Sequence, residues 1–238
     1  MTSRLLALTF LARDPAKLTT FWSAALGWEP RLEEHGTVLM PTDEASVPIV
    51  FVTTENEKRV RNRNHLDLTT TSLEDQSATV HQLLELNGTH CDVGQGPEES
   101  HVVLADPEGN ELCVIDPANT FLADCPRLGA INCDGTKETG YFWSEVLGWP
   151  LIWDQKEETV IRDPGGTGPM ITWSGPPLLP KHGNNRLQLS ITPNDKSTPR
   201  DEVERLISLG ASRAKSLENG VLEMLDPDGN EFRVFVSS

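Results

Sequence analysis

The sequence predicts an α+β fold built from two tandem copies of one unit, each copy with the element order βαβββ–βαβββ. Three segments recur in the same order along the chain: residues 21–28 return as 142–149, 64–68 as 185–189, and 106–111 as 226–231. The offsets are 121, 121 and 120 residues, which indicates a duplicated unit of ordinary domain size. We therefore predict domains over 1–117 and 126–238, joined by a connector over 118–125.

The first copy alternates between strand and helix patterns. A first helix is predicted after Asp14, a side chain that caps helices, and Pro15, which suits the first helical position. Its apolar face repeats at helical spacing and ends at Gly27. Ser72 caps a second helix that ends before Gly88. The apolar and alternating runs predict strands over 4–11, 28–32, 37–40, 48–53, 65–70, 90–93, 101–105 and 111–115.

The second copy repeats this pattern, with Thr198 and Pro199 opening its last helix and Gly210 closing it. In both copies short strands with helices between them predict curved, mixed or antiparallel sheets that carry the helices on their outer face. The segment 165–168 is glycine-rich but has no Lys-Ser/Thr pair after it, so we predict a hairpin loop there.

Composition excludes some classes of partner. Of 238 residues, 20 are Lys or Arg and 36 are Asp or Glu, so the formal net charge is −16. A surface this acidic repels phosphate backbones and anionic lipids, and we expect neither a nucleic-acid nor a membrane partner. The apolar opening, 1–12, runs directly into Arg13-Asp14-Pro15 and is predicted to be a strand, not a signal peptide. Four cysteines without a C-x-x-C pair fit neither a disulfide framework nor a zinc knuckle, which favours the cytoplasm.

The recurring motifs resemble those of a known superfamily. F-W-x-x-x-L-G-W after a first strand, N-x-L-x-L opening the second half of each copy (N-H-L-D-L in copy 1), and D-P-x-G-N-E before the last strand are similar to the vicinal oxygen chelate proteins. The glyoxalase-like and bleomycin-resistance-like branch is the most similar. The resemblance implies paired βαβββ modules that form a cup, which in the superfamily's enzymes holds a divalent metal on strand residues of both modules.

Carried over position by position, this resemblance implies a degraded metal site in the first copy. The first-strand and fourth-strand ligand positions fall near Ala7 and Val50, which cannot coordinate a metal, whereas a third falls on His65. The last falls on Cys113, where the metal enzymes have Glu. Because strand side chains alternate, Asp67 shares a face with His65, and Glu111 shares one with Cys113, so we expect all four in one cup.

The corresponding residues of the second copy are expected to be Arg186, Gln188, Glu231 and Arg233. Two guanidinium groups cannot ligate a cation, so no metal site is expected there. The two arginines either clamp an anionic substituent or pair with Glu231 and brace the cup.

Other side chains leave two interpretations open. His65 is either a functional side chain or one held by local hydrogen bonds, and Glu111 and Glu231 either face the cup or bind loop N–H groups. Cys113 is expected to be a small buried side chain, and His101 a solvated one. Trp153 and Trp173, which occur only in the second copy, offer a stacking wall to a flat ligand.

Two functions follow from these residues. The first is a protein that binds a small organic molecule in a cup whose metal site has degenerated, with Cys113, Arg186, Gln188, Glu231 and Arg233 lining it. The alternative is a metal-dependent lyase, isomerase or dioxygenase. Its active site in the first copy would use His65 and Glu111 as ligands of one Zn, Ni, Mn or Fe ion, with Asp67 as a base or supporting residue. A four-module chain completes its cups internally, so a monomer or a homodimer is expected.

Overall fold

The computed structural model describes residues 2–33, 36–96, 98–194, 198–217 and 220–235, which form four βαβββ modules in chain order. The first copy contains β1 (Ser3–Ala12), α1 (Pro15–Leu26), β2 (Glu29–Glu33), β3 (Gly36–Met40), β4 (Ile49–Thr53), β5 (Asn64–Leu68), α2 (Leu73–Glu85), β6 (Thr89–His90), β7 (Val102–Ala105) and β8 (Glu111–Val114). The second contains β9 (Leu128–Cys133), α3 (Lys137–Leu147), β10 (Leu151–Gln155), β11 (Glu158–Arg162), β12 (Met170–Trp173), β13 (Leu187–Pro193), α4 (Pro199–Leu209), β14 (Ser212–Ser216), β15 (Val221–Leu225) and β16 (Glu231–Phe235).

Local sequence signals set the helix ends. The Asp14 side chain accepts the Lys17 N–H at 3.0 Å, Pro15 is the first residue of α1, and Gly27 ends the helix at φ +69°. The positive φ suits glycine, which has no Cβ to meet the following carbonyl. In α4 the Thr198 side chain accepts the Asp201 N–H, and Gly210 ends the helix at φ +118°. The predicted ends of these two helices are confirmed.

The strands form two eight-stranded mixed sheets, and each sheet takes one module from each copy. The first has the order β14-β15-β16-β13-β1-β4-β3-β2, and the second has the order β10-β11-β12-β9-β5-β8-β7-β6. The central pairs, β1 with β13 and β5 with β9, are antiparallel and join the two copies. The α+β class with two cupped sheets is thus confirmed.

The expectation that all strands of one cup come from one copy is corrected. β1 and β4, which carry Ala7 and Val50, lie in one sheet, whereas β5 and β8, which carry His65 and Cys113, lie in the other. A sequence repeat shows which segments are alike. It does not show which of two similar modules supplies the neighbouring strand, because both offer a similar edge of N–H and C=O groups.

The two modules of one copy meet through the D-P-x-G-N-E turn and the first helix. Trp22 of α1 donates its indole N–H to the buried Asp106 carboxylate at 3.1 Å, and Trp143 of α3 approaches Asp226 at 3.5 Å in the same way. The next acidic residue of each turn, Glu108 or Asp228, accepts N–H groups at the start of that helix. This contact positions α1 over the sheet that contains β1, and α3 over the sheet that contains β9.

The core lies between the sheets and their helices. Its largest fully buried side chains include Trp22, Trp143, Phe21, Phe51 and Phe232, and the aromatic pairs sit 5–6 Å apart, as Trp143 and Phe232 do at 5.1 Å. In the described part of the chain, no helix combines the length and apolarity that a bilayer crossing requires.

Candidate functional site

The concave face of the second sheet is formed by β5, β8, β9 and β12, and we call it the histidine cup. Alternation along the strands turns Leu66 and Leu112, both fully buried, toward the helices. The residues between them face the cup, where a cavity of about 300 Å³ lies. The cup residues used below are His65, Asp67, Cys113, Ala130, Asn132 and Thr172.

Three of these side chains form a cluster of metal-ligand atoms. One ligand atom each of His65, Asp67 and Cys113 lies within 4.8 Å of the other two. His65 Nε2 approaches Asp67 Oδ1 to 3.3 Å, yet this buried oxygen accepts no hydrogen bond from the described residues. Buried polar atoms without a partner are rare and call for an explanation. Strand alternation predicts that these three side chains share one cup.

The thiol of Cys113 is buried at the bottom of this cluster. Burial raises the pKa of Cys113, and the neighbouring carboxylate of Asp67 raises it further. The thiolate therefore needs a cation beside it. An imidazole nitrogen, a carboxylate oxygen and a thiolate sulfur form a donor set that suits zinc, and the unpartnered Asp67 Oδ1 is the atom that a cation would satisfy. The residues present fit a divalent metal.

Glu111, predicted as a metal ligand beside His65, is held elsewhere. Its carboxylate accepts the Lys58 ammonium at 2.8 Å and the Asn62 N–H at 3.1 Å, so both oxygens are engaged by the connector before β5. Glu231 repeats the arrangement, with the Lys181 ammonium at 2.8 Å and the Asn185 N–H at 3.1 Å. Of the two interpretations, the geometry favours the one in which these carboxylates brace a loop. Glu111 is not among the clustered ligand atoms of the described residues, and its role as a metal ligand stays a prediction.

The concave face of the first sheet is formed by β1, β4, β13 and β16, and we call it the apolar cup. Its cavity measures about 720 Å³. On its floor Thr9 and Ser190 share a hydrogen bond of 2.7 Å between their hydroxyl oxygens. The described residues that line it are Leu6, Ala7, Thr9, Glu33, Val38, Met40, Pro48, Val50, Val52, Leu217, Val221, Arg233 and Phe235.

The structure shifts the expected correspondence between the copies by two residues on one strand. Ser190 pairs with Arg233 as Asp67 pairs with Cys113, so Gln188 and Ser190 are the equivalents of His65 and Asp67. The backbone hydrogen bonds to the two glutamates show the same shift. The N–H of Asn62 donates to Glu111, and the N–H of Asn185 donates to Glu231. The expected equivalence of His65 with Arg186 is therefore wrong.

The two arginines have different surroundings, and neither pairs with Glu231. Arg186 lies outside the cup, donates to the carbonyl oxygens of Leu11 and Asn56, and approaches the Glu108 carboxylate at 3.6 Å. Arg233 faces the apolar cup and donates from Nε to Gln188 Oε1 at 2.9 Å. Burial lowers the pKa of Arg233, although a guanidinium remains charged in proteins.

Other predicted residues have mixed outcomes. Trp153 and Phe121, both exposed, meet edge to face at 6.1 Å and line the cavity of the histidine cup. Trp173 lines the same cavity but is almost wholly buried. His101 lies 3.4 Å from Glu99 and is not among the clustered ligand atoms. Sequence reasoning missed Asn132 and Thr172, because no motif marks them. Only the pairing of β9 with β5 and of β12 with β9 brings them to this cup.

Comparisons with known proteins agree with this architecture. The glyoxalase-like domain matches residues 7–115 and again residues 130–235. Glyoxalase I from Zea mays has a similar structure, with a TM-score of 0.67 and 13% identity over 98% of this chain and 92% of that one. A putative dioxygenase from Bacillus subtilis subsp. subtilis str. 168 gives a TM-score of 0.61 and 13% identity over 98% of this chain and 84% of that one.

A comparison with curated proteins gives no match. The structural likenesses, at identities of 13%, show the fold alone. The two domain matches together cover most of the sequence, once in each copy. The chain therefore belongs to the glyoxalase-like domain family of the vicinal oxygen chelate superfamily and carries that domain twice.

Proposed function

We propose that this protein binds a small organic molecule in the apolar cup. The observation that carries the proposal is the cavity of about 720 Å³, which lies within the range of small-molecule sites and is lined mainly by aliphatic side chains. No cluster of three metal-ligand residues occurs in this cup among the residues that the structure describes. Binding without metal chemistry is thus the function that this geometry supports best.

The aliphatic walls supply the driving force for such binding. Each 100 Å² of apolar surface removed from water contributes roughly 2.5 kcal/mol before the costs of association. A ligand that covers the half-buried side chains of Met40, Val50 and Val52 removes them from water together with its own surface. The ligand we propose is therefore largely hydrocarbon.

The test is binding of N-phenyl-1-naphthylamine, an uncharged apolar dye whose emission increases when it leaves water. We expect saturable binding to the wild-type protein. Val50→Trp, which fills the apolar cup from its floor, should weaken binding at least about tenfold, a change of 1.4 kcal/mol.

The matched control is Thr172→Trp, because Thr172 pairs with Asn132 in the histidine cup as Val50 pairs with Thr9 in the apolar cup. This variant adds the same side chain to the other cup and should leave the affinity for the dye unchanged. Equal weakening by both variants, or no saturable binding at all, would refute the proposal.

A second candidate function rests on the cluster in the histidine cup. There His65, Asp67 and Cys113 would hold one divalent metal ion, as a metal-dependent enzyme of this superfamily requires. A bound metal would polarise oxygen atoms of a substrate. Asn132 and Thr172 line the same cavity as Asp67, where their side chains can orient a polar substrate by hydrogen bonds.

Metal binding is tested with the metal alone. Elemental analysis after dialysis against Zn²⁺ should give one ion per chain, and Co²⁺ should show sulfur-to-cobalt charge-transfer absorption. Cys113→Ser should abolish that absorption and His65→Ala should reduce the metal content, whereas His101→Ala, outside the cluster, should change neither. Zinc content below about 0.1 per chain in wild type would refute this candidate.

The remaining assignments stay proposals. The four cysteines are free in the structure, in accord with the cytoplasmic location that we propose. We likewise retain residues 1–117 and 126–238 as the two domains, with a monomer or a homodimer as the assembly.

A further inference from the structure

The apolar cup contains one buried cation with unused hydrogen-bond donors. Arg233 is 9% exposed, and its Nε bonds to Gln188. Neither of its terminal nitrogens donates a hydrogen bond to a described residue, and no described carboxylate lies within the 4.0 Å of an ion pair. Arginine carries five N–H donors in a planar fork, so most of this group faces the cavity without a partner.

The carboxylates near Arg233 do not pair with it. Glu223 stands opposite it across β15 and β16, but its carboxylate already lies 3.4 Å from the Lys215 ammonium. Glu33, on the exposed strand β2, is the other ionisable residue among the described ones that line the cavity. Because Glu223 is paired with Lys215 and no described carboxylate lies within 4.0 Å of Arg233, the guanidinium of Arg233 has no ion-pair partner among the described residues.

The walls of the apolar cup contain mostly groups that cannot pair with the guanidinium. Most of the residues that line the cavity are aliphatic, and a buried charge is costly unless an opposite charge pairs with it. Arginine and carboxylate match each other's geometry with two parallel hydrogen bonds. Arg233 also occupies the strand position that Cys113 has in the histidine cup. A positively charged side chain therefore stands where the other cup has a candidate metal ligand.

We propose that the apolar cup takes an apolar organic monocarboxylate, whose charged end pairs with Arg233 and whose hydrocarbon part lies against the aliphatic walls. This inference rests on the proposed function and adds the chemical class of the ligand. The residue that carries it for the carboxylate is Arg233, whose guanidinium is held in place by Gln188 Oε1, and the half-buried Met40, Val50 and Val52 line the cavity for the hydrocarbon.

The experiment compares octanoate with octanol and octylamine as competitors of N-phenyl-1-naphthylamine. In wild type, octanoate should displace the dye at a concentration at least about tenfold lower than octanol, and octylamine should be the weakest, because like charges repel. In Arg233→Met the preference for octanoate over octanol should fall to about one, while the dye, which needs no charge, still binds. Arg233→Lys, which keeps the charge and loses the fork, should give an intermediate preference.

Arg213→Met is the matched control, because Arg213 is an exposed arginine of the same sheet, on β14, two strands away from β16. It should retain the full preference for octanoate. Retained dye binding shows that each variant is folded with its cup intact. Equal competition by octanoate and octanol in wild type, or an undiminished preference in Arg233→Met, would overturn the inference and leave the proposed function standing. Absence of dye binding in wild type would refute both.

Discussion

The contact between Asp228 and the start of α3 should be one of the strongest single links between modules. Asp228 Oδ2 accepts the Thr136 N–H at 2.6 Å, the Thr136 hydroxyl at 3.0 Å and the Thr139 hydroxyl at 2.7 Å. Thr136 makes no side-chain cap of its own, so this carboxylate from the other module caps the helix. Thr139 is fully buried, and without Asp228 its hydroxyl would lose this partner.

We expect Asp228→Ala to lower the free energy of unfolding by about 2–4 kcal/mol. Hydrogen bonds to a charged acceptor contribute about 1.5–3 kcal/mol and a helix cap about 1 kcal/mol, and bonds that share one oxygen are less than additive. For a chain of this length the loss corresponds to a decrease in Tm of roughly 4–16 °C. Urea titration followed by circular dichroism measures the change.

Two further variants separate the cap from a general effect of charge. Asp124→Ala removes an exposed carboxylate from the same acidic protein and should change stability by less than about 0.5 kcal/mol. In a double-mutant cycle, Asp228→Ala and Thr139→Val should show a coupling of at least about 1 kcal/mol. A coupling near zero, or equal effects of the two Asp→Ala variants, would refute the reasoning.

Three other predictions follow from single sites. Gly140→Ala would place its methyl carbon 1.9 Å from Thr159 Oγ1, so we expect a loss of about 1–3 kcal/mol in urea titrations. The added substitution Thr159→Ala should restore most of it. Burial raises the pKa of Asp226 from 3.8 to about 6, so the folded state holds this proton more tightly than the unfolded state. Its contribution to stability should be complete below pH 3.8 and decline as the pH increases through 6, and an NMR titration that gives a pKa below 4 would contradict this. Glu111→Gln should cost about 1–2 kcal/mol through the lost Lys58 ion pair, yet leave zinc affinity unchanged in equilibrium dialysis, where a tenfold loss would make Glu111 a ligand after all.

The helices were predictable because their signals are local. Asp14, Pro15 and Gly27 act within one turn of the helix that they bound, and they need no distant partner. The same holds for the turn at Asp106 and its repeat at Asp226, where a carboxylate oxygen accepts N–H groups two and four residues ahead. Elements set by such short-range bonds appear in the structure close to their predicted bounds.

The pairing of the modules was not predictable in this way. The four modules have similar strands, so two arrangements satisfy the same pattern of hydrophobic and polar residues. The contacts that join the copies are long-range, such as the hydrogen bonds that the Arg63 guanidinium donates to the Leu179 carbonyl oxygen. No sequence motif in either segment predicts these hydrogen bonds.

The site was predictable only as far as strand alternation determines it. The rule that places His65 and Asp67 on one face also places Glu111 beside Cys113, but it says nothing of Lys58, which holds the Glu111 carboxylate. The shifted correspondence arose because the motifs matched Asn64 with Asn185, whereas the structure makes Asn62 the equivalent of Asn185.

The chemistry of each cup lies on the strands of the later module in each copy. At the equivalent positions of the earlier modules, both cups have an alanine, Ala7 or Ala130, paired with Ser190 or Asp67. The two cups thus differ mainly in the side chains of β5 and β8 in the histidine cup and of β13 and β16 in the apolar cup. The two proposals thus place a cation in one cup and an anion in the other cup of a single scaffold. Each copy contributes strands to both cups, whereas the clustered side chains of the histidine cup, His65, Asp67 and Cys113, all come from the first copy.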